Sequence, residues 1–106
     1  MGDVDDFRRD GAVVLRGVIT PDEVDALRRG IDEVVASPGP RAKVASAADD
    51  PGLFLEDFCT WRDHPDFESF VRSTRLAEIA ADLMGSRTVT MYHDHVLVKT
   101  AGTRQR

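Results

Sequence analysis

The chain has 106 residues, enough for one small domain or a part of one and too few for two. Hydrophobic residues at 42% and charged residues at 31% exclude a disordered tail or a membrane bundle and predict folding. The formal charge of −5 comes with basic residues scattered among acidic neighbours, apart from Arg104 and Arg106, so the clustered cations that grip a phosphate backbone are missing and no nucleic-acid partner is expected.

The opening GDVDDFRRDG predicts a short helix with Val4 and Phe7 on one face, ended by Gly11 in a left-handed conformation. AVVLRGV at Ala12–Val18 is β-branched and apolar between Gly11 and Gly17, which predicts a partly buried strand. The apolar stretch Ala12–Ile19 is broken by Arg16 and Gly17 and falls far short of the roughly 20 residues that cross a bilayer. No membrane segment is expected. Thr20 and Glu23 have capping-box spacing, with Pro21 at the first helical position, where its missing N–H costs nothing. A helix therefore starts at Pro21. Ile19 and Val24 have the spacing of a hydrophobic staple, and Val24, Leu27, Ile31, Val34 and Val35 form a stripe predicted to face the core.

Residues 37–52 turn to Pro, Gly, Ala, Ser and Asp, and Pro38, Pro40 and Pro51 forbid a continuous helix, so a long loop is predicted, either a lid or a disordered excursion. Leu53–Trp61 reads as a strand or an irregular packing segment. His64–Ser73 and Thr74–Gly85 each predict a helix, the first entered through Pro65 and the second closed by Gly85. Arg87–Lys99, with Val89, Tyr92, Val96 and Val98, predicts a strand long enough to need a bend or bulge.

Cys59 is the single cysteine, so no disulfide forms within the chain, and its aromatic neighbours predict a small buried hydrophobe. The N-terminal Asp3, Asp5 and Asp6 stand where a secretory signal carries positive charge, and a cytoplasmic setting is expected. Phe54, Phe58, Trp61, Phe67 and Phe70 are expected in the core. Glu56, Asp57, Asp63 and Asp66 read as solvated charge.

Three segments in this order, FRRDGAVVLRGVITPDEVDALRRGID at Phe7–Asp32, HPDFESFVRSTRLAEIAADLMG at His64–Gly85 and YHDHVLVKTAG at Tyr92–Gly102, resemble the N-terminal region of the phytanoyl-CoA dioxygenase family. These are non-haem Fe(II) and 2-oxoglutarate-dependent oxygenases. The resemblance implies an α+β fold: N-terminal helices and strands plus the first core strand of a double-stranded β-helix of jelly-roll or cupin type, here incomplete. Residues 1–106 would form the N-terminal part of a single domain of this kind. The family holds iron with a His-x-Asp pair and a later His, the pair following a Lys-x-Pro-Gly segment. Lys99 matches that lysine, Ala101 replaces the proline, Gly102 is kept, and the chain reaches Arg106 before any such pair. The resemblance thus implies no catalytic residue and no iron ligand in this chain, and neither Fe(II) nor 2-oxoglutarate held by it alone. An earlier His-x-Asp, His64-Pro65-Asp66, lies upstream of the lysine segment, where Pro65 marks it as a helix entry.

The cluster His93-Asp94-His95 admits three readings. Strand alternation puts His93, His95, Leu97 and Lys99 on one face and Tyr92, Asp94, Val96 and Val98 on the other. Two histidines at this spacing can reach one metal ion, but Asp94 points away and no third ligand is near. The histidines are otherwise ordinary polar residues of a half-buried strand. In the third reading, which the resemblance favours, Lys99 contacts the 2-oxoglutarate carboxylate while His93 and His95 face the substrate.

The function expected is that of an N-terminal fragment of an Fe(II)/2-oxoglutarate-dependent oxygenase that hydroxylates a C–H bond of a small organic substrate, with halogenase and desaturase outcomes also open. The alternative is a non-catalytic remnant or a small interaction module that kept the N-terminal fold. A chain that ends after its first core strand leaves strand-edge groups unpaired, and self-association through those edges is expected.

Overall fold

The computed structural model describes residues 2–104, so the expected basic residue Arg106 lies outside the described residues. Helix α1 spans Asp3–Asp10 and α2 spans Pro21–Ala36. Strands β1 at Lys43–Val44 and β2 at Phe54–Phe58 follow, then helices α3 at Pro65–Ser73 and α4 at Leu76–Met84, and finally strand β3 at His95–Lys99. The class is α+β.

Local chemistry sets most boundaries. Gly11 closes α1 at φ 75°, donating its N–H to the Phe7 carbonyl at 2.8 Å. At the start of α2 the Glu23 N–H donates to Thr20 Oγ1 at 3.2 Å, and the Thr20 N–H donates to Glu23 Oε2 at 2.9 Å. This reciprocal cap satisfies two otherwise unpaired donors, and such caps contribute about 1 kcal/mol. Pro65 opens α3, so His64-Pro65-Asp66 is a helix entry; His64 Nδ1 lies 3.2 Å from Glu33 Oε2, and Arg29 donates to Asp66 at 3.2 Å. Gly85 closes α4 at φ 63° with its N–H on the Ala81 and Asp82 carbonyls.

The three strands form an antiparallel sheet in the order β1-β2-β3. The pairs Leu55↔Val98 and Asp57↔Val96 put one face of the sheet against α2 and α3, which pack on each other. Val34, Leu55 and Phe67 form the buried core there, with Leu27, Ala42, Trp61, Val96 and Val98 packed around it. Helix α1 packs on α4.

Four expectations are corrected. Ala12–Val18 forms no strand among the described residues: the backbone turns at Arg16–Gly17, Val14 stays 73% exposed, and the Arg75 guanidinium donates to the Val18 carbonyl at 2.8 Å. β-branched residues favour a strand only where a neighbouring backbone completes the ladder, and among the described residues no strand pairs with this segment. The α2 stripe is rotated, since Gly30 and Val34 are buried while Ile31 and Val35 are exposed. Gly30 draws α3 close, and contact with Phe67 then decides which side faces inward. The long terminal strand shortens to His95–Lys99, because β2 offers only Phe54–Phe58 to pair with. Within residues 37–52, Lys43–Val44 adds a two-residue strand to the loop.

Among the aromatics expected inside, Phe67 alone is buried, with Phe54, Phe58, Trp61 and Phe70 half-buried. Phe54 and Phe58 have the opposite parity to Leu55 and so stand on the other sheet face. No helix among the described residues is long and apolar enough to cross a membrane.

Candidate functional site

The sheet face away from the core carries the polar chemistry. Cross-strand pairing sets Phe54 beside Lys99, Glu56 beside Leu97 and Phe58 beside His95, and Lys43 on β1 sits beside Glu56. The His95 ring stacks on Phe58 with centroids 4.2 Å apart, and its Nε2 lies 3.4 Å from Glu56 Oε1. Lys99 Nζ rests 5.6 Å above the Phe54 ring centroid, and Lys43 Nζ rests 5.8 Å from that of Phe58. Lys99 is exposed, and among the described residues no carboxylate lies within ion-pair distance of it. An ammonium held over a ring and unclaimed by an acid is available to an anionic ligand.

Strand alternation thus places His95, Leu97 and Lys99 together, as expected. His93 precedes β3, is exposed, and meets the Tyr92 ring edge-on at 4.7 Å. Asp94 turns the other way. Its carboxylate accepts from the Thr60 N–H at 3.0 Å, the Thr60 hydroxyl at 2.8 Å and the Trp61 N–H at 3.3 Å, while its carbonyl accepts from the Cys59 N–H at 3.1 Å. Asp94 therefore ties the start of β3 to the turn that leaves β2. With its carboxylate engaged there, His93-Asp94-His95 does not converge on one point, and the described residues hold no group of three or more His, Cys, Asp or Glu that could bind a metal ion. These residues do not fit an iron centre.

Trp61, held by Asp94, stands between two guanidinium groups, Arg62 at 4.9 Å and Arg72 at 5.2 Å. It walls an open apolar groove of about 930 Å³ that runs along β3 beside α3 and α4, with Phe70, Leu76, Met91 and Val96 among its lining residues.

Two readings of single residues are corrected. Asp57 is fully buried, not solvated: its carboxylate accepts from the Gly39 N–H at 2.7 Å and the Phe58 N–H at 2.8 Å. Its parity with Leu55 signals the inward direction, but nothing local identifies Gly39 as the partner. Cys59 is exposed, because at φ 57° it takes the left-handed turn out of β2 and leaves the core packing behind.

A second carboxylate fixes the exit from β3. Asp50 accepts from the Arg104 N–H at 2.8 Å, the Gly52 N–H at 3.1 Å and the Thr103 hydroxyl at 3.3 Å. The Arg104 N–H above all, then the Gly52 N–H and the Thr103 hydroxyl, hold its carboxyl below the usual carboxylate range, against an opposing loss of hydration. A carboxyl whose folded pKa is depressed stabilises the fold above its ordinary range and loses that contribution as pH falls through the lowered value. Acid titration followed by NMR is therefore expected to shift the Gly52 and Arg104 amide signals together, and Asp50→Asn to remove that shift. Independent titration of the two amides would contradict the shared anchor.

An α+β domain with a helix-backed antiparallel sheet and a cationic, partly open opposite face is the class these elements define. A family model for phytanoyl-CoA dioxygenase matches residues 7–105. The chain belongs to the phytanoyl-CoA dioxygenase family, which makes it a dioxygenase-like domain of a group dependent on Fe(II) and 2-oxoglutarate. Comparison with curated proteins and with solved structures gives no match.

Proposed function

We propose that this chain is the N-terminal part of an Fe(II)/2-oxoglutarate-dependent oxygenase domain, and that its strands belong to a double-stranded β-helix whose interior is the face bearing Lys99. The observation that supports this reading is Lys99 itself, an exposed ammonium without an acidic partner among the described residues, in a segment that resembles the family's Lys-x-Pro-Gly with Ala101 in place of the proline. Its role is to bind one carboxylate of 2-oxoglutarate. His95 on the same face, with His93 just before it, lines the substrate side. The bound iron would supply the oxidising chemistry for hydroxylation of a C–H bond. Since the described residues do not assemble a metal site, the ligands come from outside them, in a continuation of the coding sequence or in another chain.

Hydrogen bonds to charged groups are worth about 1.5–3 kcal/mol. In a protein joining this segment to the family's iron ligands, Lys99→Ala is therefore expected to raise the KM for 2-oxoglutarate about tenfold to a hundredfold, with Lys99→Arg retaining part of the affinity. An unchanged KM removes Lys99 from the site. The 106-residue chain alone is expected to give no anaerobic Fe(II)/2-oxoglutarate charge-transfer band. Such a band would overturn the external origin of the ligands, whereas failure of the joined protein to turn over 2-oxoglutarate would favour a non-catalytic module.

A further inference from the structure

The chain leaves β3 through a turn. From Thr100 to Thr103 the backbone reverses, with the Thr103 N–H on the Thr100 carbonyl at 3.4 Å and Gly102 at φ 92°, the pattern of a type II turn with glycine in its third position. The second position of such a turn is the one that proline presets, and here it is Ala101, whose φ no ring restricts. At 3.4 Å the closing bond is also long, so the turn is held only weakly by its own residues.

What the turn carries is Lys99. The Thr100 N–H donates to the Leu53 carbonyl at 2.8 Å, so in this register Leu53 and Thr100 form a hydrogen-bonded pair and Phe54 and Lys99 a non-hydrogen-bonded one. Lys99 therefore makes no backbone bond to β2 and is held through Val98 and Thr100 on either side. Thr100 is the last tie of the strand, strengthened by the Leu53 N–H, which donates to its Oγ1 at 2.7 Å. Freedom in the turn passes directly to that tie.

The constraint that Ala101 lacks comes from the end of the 37–52 loop. Asp50 accepts from the Arg104 N–H at 2.8 Å and the Thr103 hydroxyl at 3.3 Å, both just beyond Gly102, and from the Gly52 N–H at 3.1 Å in its own loop. Bonds to a carboxylate are the stronger class of hydrogen bond. Gly52 lets the two backbones meet, since a Cβ there would lie 2.8 Å from Thr103 Cα and 2.9 Å from the Gly102 carbonyl carbon. The Arg104 guanidinium adds a contact to Asp49 at 3.5 Å.

We infer that Asp50 is a positioning residue for Lys99: together with Gly52 it locks the turn Thr100–Thr103 into the conformation that a proline in its second position would impose, and so steadies the ammonium above the Phe54 ring. Every contact of this lock lies within the described residues. That Lys99 then meets 2-oxoglutarate depends on the function proposed above; the lock itself does not.

Nuclear magnetic resonance of the 106-residue chain reads both ends of the coupling. In the parent, Gly102 is expected in the rigid backbone range, an order parameter of about 0.85, with the Lys99 ε-methylene protons shifted upfield by the Phe54 ring. Asp50→Ala should lower Gly102 to below about 0.6 and move the Lys99 signals toward their random-coil positions. Asp50→Asn, which keeps one acceptor oxygen, should fall between. Ala101→Pro suits the parent turn, because among the described residues no hydrogen bond runs from the Ala101 N–H, and it should leave both readouts unchanged there. Added to Asp50→Ala, the same substitution should restore both, a rescue that the loss of an unrelated structural contact would not show. Unchanged Gly102 order in Asp50→Ala overturns the proposal, as does failure of Ala101→Pro to restore it. Restored Gly102 order with Lys99 still displaced overturns the link to Lys99. In the joined protein, an unchanged KM for 2-oxoglutarate in Lys99→Ala removes the co-substrate role and leaves the lock standing.

Discussion

Gly30→Val is expected to remove about 2–3 kcal/mol of stability, the usual cost of forcing extra atoms into a packed interface. Gly30 is buried on α2, and a Cβ at this position would meet the Phe67 ring, with Cδ1 at 2.8 Å and Cζ at 2.9 Å and Cε1 closer still. Phe67 belongs to the core with Val34 and Leu55, so it cannot retreat without opening the contact between α2 and the sheet. The alternative is for α2 and α3 to move apart. Native domains are stable by only about 5–15 kcal/mol, so the loss removes a large share of the total and should lower the urea midpoint clearly. Urea unfolding followed by circular dichroism measures it. Gly30→Ala serves as a graded control, because its helix-propensity gain of about 1 kcal/mol offsets part of the smaller clash. A valine variant with an unchanged or raised urea midpoint would show that the two helices tolerate separation.

Asp57→Ala is expected to cost a similar amount, about 2–3 kcal/mol, by a different route. The carboxylate is fully buried and accepts from two backbone N–H groups, at Gly39 across the loop and at Phe58 in its own strand. Alanine leaves both donors without that acceptor where water is largely excluded, and it also leaves a cavity beneath β2. Asp57→Asn keeps one acceptor oxygen and should lose about half as much. Amide hydrogen exchange separates the local effect from the global one: Gly39 should exchange faster in both variants under conditions that keep β2 protected. If Gly39 exchange stays as slow as in the parent, the carboxylate does not hold the loop.

The two predictions differ in how far the sequence foretells them. The α2 stripe implies a packed helix, but Gly30 as the point of closest approach depends on where α3 docks. Asp57 alternates with Leu55 in the run LFLEDF, so an inward direction is legible; its partner Gly39 lies 18 positions away and is not. The candidate site divides similarly. The parity of His95, Leu97 and Lys99 and the lysine motif are visible in YHDHVLVK, whereas the ring beneath Lys99 and the glutamate beside His95 come from β2. Trp61 packs against the core as its aromatic character suggests, but its two arginines and the Asp94 anchor are not legible, because they converge only after β2 and β3 pair.

By itself, then, the sequence determined what neighbouring residues settle among themselves: the capping box at Thr20 and Glu23, helix entry at Pro65, the left-handed stops at Gly11 and Gly85, and the side to which each residue of β3 points. It also carried the family, through motifs spread over nearly the whole chain. The tertiary structure alone decided that Ala12–Val18 forms no strand, that Gly30 and Val34 rather than Ile31 and Val35 face inward, and that Asp57 is buried while Cys59 is exposed. The reason is physical. Caps and turns close hydrogen bonds over three or four residues, whereas strand ladders and burial require partners from distant parts of the chain.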